Sequence, residues 1–99
     1  MMAAMLTAIV HIDCDAATIP EVAAQIAEID GVSEVYSVTG EVDLIALVRV
    51  QEHETLADVI ADRVSKVPGV VRTQTYIAFR AYSRHDLEAA FAIGFDTAD

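Results

Sequence analysis

Basic residues are scarce in this sequence. Six Lys and Arg stand against sixteen Asp and Glu in 99 residues, a net charge of -10. Nucleic-acid binding needs cations to displace the counterions of the phosphates, so direct contact with DNA or RNA is excluded. The same charge repels anionic membranes. Cysteine is single (Cys14), so no intrachain disulfide can form, which agrees with a reducing cytoplasm. Apolar runs are all broken by Asp, Glu or Arg before they reach membrane-spanning length. The opening Met1 to Met5 lacks the basic stretch and long apolar core of a targeting signal. Tryptophan is absent and aromatics make up 6%, yet 55% of the residues are hydrophobic. The excess is aliphatic, and it is more than a single domain of this size hides easily. It points to subunit contacts.

Two of the four glycines mark an internal repeat. Gly31-Val32 and Gly69-Val70 lie 38 residues apart (69 minus 31). At that offset Ala8 to Ile12 falls on Ala46 to Val50, and Val22, Ile26 and Ile29 fall on Ile60, Val64 and Val67. Each half opens with an alternating strand. Leu6, Ala8, Val10 and Ile12 face one way and Thr7, Ile9, His11 and Asp13 the other, and Leu44 to Val50 repeats the pattern. A helix follows. Thr18 and Glu21 have capping-box spacing with Pro20 in the first turn, and Val22, Ala23, Ile26 and Ile29 form an apolar stripe. In the second half Thr55 and Asp58 repeat the start signal, at an offset of 37 instead of 38, and Leu56, Val59, Ile60, Val64 and Val67 form the stripe. Asp30-Gly31 and Pro68-Gly69 stop the helices. Closing strands are expected over 32–38 and 70–79.

The order β-α-β-β-α-β with right-handed crossovers gives an α+β ferredoxin-like sandwich: a four-stranded antiparallel sheet with two helices on one face. Residues 1–99 form one domain, with 84–99 as a C-terminal extension in which Leu87, Ala90 and Phe91 are spaced for a short helix. The uncovered sheet face should carry Ile9, Ile45 and Leu47 beside Thr7, His11 and Arg49, a surface suited to a homodimer.

No residue pattern points to catalysis, a metal or a cofactor. His11, His53 and His85 have no ligand spacing with one another or with Cys14. Asp13 and Asp15 beside Cys14 disfavour its thiolate. There is no phosphate-cradling glycine loop and no spacing that supports a Ser/His/Asp set.

Two segments carry more than packing. Ser37-Val38-Thr39-Gly40-Glu41-Val42-Asp43 joins the halves. It reads as a hairpin turn with solvated carboxylates. It also reads as a cradle in which backbone groups around Gly40 hold a ligand carboxylate while Glu41 or Asp43 accepts from an ammonium group. Arg72-Thr73-Gln74-Thr75-Tyr76 reads as the solvent side of a strand, or as hydroxyl and amide groups lining a pocket at a subunit contact.

Val35 to Leu44, Leu56, Val67-Pro68-Gly69-Val70 and Thr73-Gln74-Thr75 together resemble the effector-binding (RAM) domain of the Lrp/AsnC regulators, over about residues 6–79. The resemblance implies the same fold, dimers joined through their sheets, rings such as octamers, and an amino-acid effector held between dimers. By position it implies that Thr39, Gly40, Glu41, Val42 and Asp43 contact the effector, with Thr73 and Thr75 nearby. Typical members carry an N-terminal helix-turn-helix. This chain starts almost at the first strand, so the resemblance implies a stand-alone member that senses an effector or co-assembles with a full-length regulator. Other readings are a co-assembly module without ligand and a small dimeric ferredoxin-like enzyme. The few aromatics and unclustered histidines speak against the enzyme. An ACT domain has the same strand order, but the turn Cys14 to Thr18 lacks the glycine usual there.

Overall fold

The computed structural model describes residues 5–82 and 84; the expected C-terminal helix lies outside the described residues apart from Arg84. Strand β1 (Leu6–Cys14) leads through a short 3-10 turn (Ala16–Thr18) into helix α1 (Ile19–Ala27), then β2 (Val32–Ser37). After the hairpin come β3 (Leu44–Val50), helix α2 (His53–Ala57), a π-type continuation (Asp58–Val64) and β4 (Val70–Ile77). The strands form one antiparallel sheet in the order β2-β3-β1-β4. This is the ferredoxin-like sandwich, with β2 and β4 two residues or less from their expected ends.

Alternation along the central strands sorts the two faces. Ala8, Val10 and Ile12 of β1 and Leu44, Ala46 and Val48 of β3 are wholly buried toward the helices, against Val22, Ile26, Leu56, Val59 and Val64. The other face sets Thr7 beside Arg49, Ile9 beside Leu47 and His11 beside Ile45, with Ile9, Leu47 and Ile45 half-buried. The apolar open face expected from alternation is therefore formed.

The helix starts differ from their expected signals. Thr18 makes no capping bond; its hydroxyl donates to the Asp15 carbonyl at 3.0 Å. Asp15 caps instead, accepting from the Ala17 N–H at 3.1 Å. The 3-10 turn thus displaces the capping box by three residues. In the second half the helix begins at His53, with Glu52 in the cap position, so Thr55 lies inside the first turn.

The one-residue slip in the repeat has a structural cause. Val22 and Ile26 are buried four residues apart; the 38-residue offset sets Ile60 and Val64 against them, but Ile60 is only half-buried and Val59 takes the buried place, five residues before Val64. The Ser65 N–H bonds to the Ile60 carbonyl at 3.0 Å, a π-type bond that widens the turn. A wide turn returns to the same face after one extra residue. The second half carries its extra residue there and keeps its buried stripe.

Two glycines lock the halves together. The helices end at Ala27 and Val64, earlier than the expected stops, and the turn after each holds a left-handed glycine, with φ of +98° at Gly31 and +101° at Gly69. A Cβ on Gly31 would stand 3.1 Å from Val59 Cγ2, and one on Gly69 would stand 2.7 Å from Val22 Cγ2 and Thr18 Oγ1. Each helix thus packs over the glycine in the turn that follows the other.

Candidate functional site

The hairpin between β2 and β3 lies against the C-terminal end of β1. Gly40 sits at its tip with φ +121°, a conformation that favours glycine, and a Cβ there would meet nothing within 4 Å. The base is fixed by backbone bonds. The Val38 N–H donates to the Asp43 carbonyl at 3.2 Å, and the Asp43 N–H donates to the Ile12 carbonyl at 3.1 Å. The Asp43 side chain turns inward: its Oδ2 accepts the Cys14 N–H at 3.0 Å. That N–H lies where the β1–β4 register shifts between Asp13 and Cys14, so the carboxylate satisfies a donor beside the irregularity.

Two adjoining depressions flank the hairpin. The larger, about 720 Å³ and open to solvent, is lined by His11, Ser37, Val38, Thr39, Glu41, Val42 and Ile45. The smaller, about 220 Å³, brings in β4: His11, Asp13, Glu41 and Val42 meet Arg72, Thr73, Gln74 and Tyr76. His11, Glu41 and Val42 form the shared wall. Arg72 reaches across the sheet to Asp13, with Nε at 2.9 Å and Nη2 at 2.7 Å from the same carboxylate oxygen. The His11 and Tyr76 rings lie 5.0 Å apart at 59°. On the far side of the open face Arg49 pairs with Glu34 at 3.7 Å. Glu34 also accepts from the Tyr36 hydroxyl, which pushes the Tyr36 pKa up.

Cys14 is unsuited to nucleophilic work. Burial pushes its thiol pKa up first, and the charges of Asp43, Asp13 and Asp15 add to the effect. The sequence identified the two neighbours; Asp43, the strongest of the three, comes from 29 residues away.

The expected site residues divide. Thr39, Glu41 and Val42 line the larger depression, and Gly40 and Asp43 belong to the same hairpin. Thr73 borders the smaller depression while its hydroxyl lies 3.3 Å from that of Ser65 at the end of the π turn. Thr75 pairs with Val10, whose side chain faces the helices, and lines a separate groove of about 280 Å³ with His53, Leu56, Ala57, Ile60, Ala61 and Ile77. Within one protomer Thr75 is therefore not brought to the hairpin. Sequence reading missed His11 and the Asp13–Arg72 pair as hairpin neighbours. Alternation put His11 on the open face, but only the register of β1 with β4 set Arg72 opposite Asp13.

A family model for the Lrp/AsnC ligand binding domain matches residues 7–87. The chain belongs to that family. Among solved structures, TTHA0845 from Thermus thermophilus is 46% identical, with a TM-score of 0.75, over 80% of this chain and 99% of that one. The feast or famine regulatory protein Rv3291c from M. tuberculosis, solved in complex with L-methionine, is 32% identical with a TM-score of 0.66, over 80% of this chain and 54% of that one. The HTH-type transcriptional regulator PH1916 of Pyrococcus horikoshii is 42% identical over 59 residues, which cover 60% of this chain and 39% of that protein. The Lrp/AsnC domain described here thus spans about two-fifths of the curated relatives it matches. Those relatives are transcriptional regulators. Among the described residues no helix is long and apolar enough to cross a membrane.

Proposed function

We propose that this Lrp/AsnC domain is the sensing and assembly part of a regulatory system. It binds a free amino acid at the β2–β3 hairpin, performs no chemistry of its own and acts as a homo-oligomer in the cytoplasm. The observation that carries the reading is the depression formed by the hairpin and His11 in a domain of this family. Its lining suits a zwitterion. The hydroxyls of Ser37 and Thr39 supply acceptors for the ammonium group, the backbone around Gly40 supplies donors for the carboxylate, Glu41 adds a negative charge at the edge, and Val38, Val42 and Ile45 offer an apolar wall. The methionine complex of the 32% identical relative supports the same ligand class. The half-buried Ile9, Ile45 and Leu47 support assembly through the open face, with dimers joining into a ring such as an octamer. Thr73 and Thr75 would then approach an effector from a neighbouring dimer. The net charge of -10 argues that any influence on DNA passes through a partner, a full-length Lrp/AsnC regulator.

One observation favours a second reading, co-assembly without ligand. Asp43, one of the two hairpin carboxylates, already serves the Cys14 N–H. A thermal-shift screen of the purified chain against the common amino acids at millimolar concentration, run beside light scattering, separates the two. A ligand at about a hundred times its Kd stabilises by about 2.7 kcal/mol and moves Tm by several degrees. A selective shift on an intact oligomer is the expected result. No shift with any amino acid, on an oligomer that stays assembled, would leave only the co-assembly reading.

A further inference from the structure

The hairpin holds more negative charge than a neutral zwitterion balances. Along the two depressions the charged side chains are Asp13, Glu41 and Arg72, with the imidazole of His11 between them. Asp13 and Arg72 cancel each other through their two-point contact. Asp43 closes the same hairpin, and the group it accepts from is a neutral backbone N–H, which satisfies the oxygen without cancelling the charge. Glu41 is in none of the ion pairs formed among the described residues. Glu41 therefore stands uncompensated in the wall of a depression whose other lining residues are His11, Ser37, Val38, Thr39, Val42 and Ile45, with the Asp43 charge turned inward at the base of the same hairpin.

An α-amino acid brings one ammonium and one carboxylate, which sum to zero. A diamino acid brings one further cation, at the end of an aliphatic stem. The stem matches the apolar wall of Val38, Val42 and Ile45, because long cationic side chains lay their methylenes on apolar surface and keep the charge at the polar edge. Glu41, exposed at that edge and common to both depressions, is the acceptor placed for the terminal cation. A dicarboxylic amino acid would meet repulsion from Glu41.

We propose that the hairpin site selects an amino acid with a cationic side chain, and that Glu41 is the residue that sets this specificity. The proposal rests on the effector reading above and narrows its ligand class.

The test is titration calorimetry on the full chain at low ionic strength with L-lysine, L-norleucine and L-glutamate. Norleucine keeps the stem of lysine and lacks its terminal ammonium. The expected order is lysine about tenfold tighter than norleucine, as for one added charge-assisted hydrogen bond, with glutamate weakest. Added salt should narrow the gap. Glu41→Gln, at an exposed position, should close the gap between lysine and norleucine. Norleucine or glutamate binding as well as lysine would overturn the cationic class while leaving an amino-acid effector in place. A lysine preference undiminished in Glu41→Gln would overturn the role of that residue. Failure of lysine to bind, on a folded oligomer, would overturn this proposal, and the thermal-shift screen over the common amino acids would decide the effector reading separately.

Discussion

The two halves of this domain reach the same architecture by different local means. The first helix is capped by Asp15 through a 3-10 turn and buries Val22 and Ile26 at a spacing of four. The second starts under Glu52 without a side-chain cap and buries Val59 and Val64 at a spacing of five. What the halves share is the contact of each helix with the glycine in the turn after the other: Gly31 under Val59, Gly69 under Val22. The pseudo-symmetry is thus a property of packing, and the local hydrogen bonding bends to serve it. A packed interior at native density tolerates little misfit, whereas a helix turn can widen at modest cost.

The largest test of that comparison is a glycine series. Gly69→Ala forces both a left-handed backbone and a Cβ 2.7 Å from Thr18 and Val22, so we expect a loss of about 3 kcal/mol in urea unfolding. Gly31→Ala, whose contacts are 3.1 and 3.2 Å, should lose about 2 kcal/mol. Gly40→Ala meets open space and should lose about 1 kcal/mol from backbone strain alone. Equal losses at Gly31 and Gly69 would show that strain, not the reciprocal packing, dominates.

A smaller effect should follow from deleting the exposed Ala61. The deletion sets the two buried valines four residues apart, as Val22 and Ile26 are, and turns the wide turn into an ordinary one. Stability within about 1 kcal/mol of the parent is expected. Failure to fold would mean that the extra residue is needed and that the halves are less alike than their cores suggest.

The smallest effect is the pH dependence from Cys14. Its pKa is raised in the folded state, so an unfolded chain loses the thiol proton first as pH climbs past the ordinary value of 9.0. The folded state then binds more protons, and stability falls with pH. The contribution is whole below the ordinary thiol pKa and is lost as pH rises through the folded one. Tyr36, also raised, acts in the same direction from its own ordinary value of 10.0. Urea titrations at a series of pH values on the parent and on Cys14→Ala should therefore give a shallower alkaline decline in the variant. Parallel declines would remove Cys14 from the effect.

Much of this was legible in the chain itself. Two-residue alternation fixed which side chains of β1 and β3 share a face. Gly31 and Gly69 marked the left-handed turns before β2 and β4, although the helices themselves end earlier, at Ala27 and Val64, and the 38-residue repeat with its slip recorded both the symmetry and its flaw. These signals are local, because backbone periodicity and left-handed φ depend on a few adjacent residues. The family resemblance drew on the same stretch, and the family match over 7–87 agrees with it.

Tertiary structure decided the rest. Alternation set Thr73 and Thr75 on one side of β4, but only pairing with Ile12 and Val10 turned that side toward the helices and set Arg72 against Asp13 on the other. Asp43 looked like a solvated turn carboxylate until the hairpin was laid against β1, where the Cys14 N–H needed an acceptor. Glu41, two residues earlier in the same turn, found no such donor among the described residues. Identical chemistry at neighbouring positions was sorted by contacts between residues distant in sequence, which no local pattern encodes.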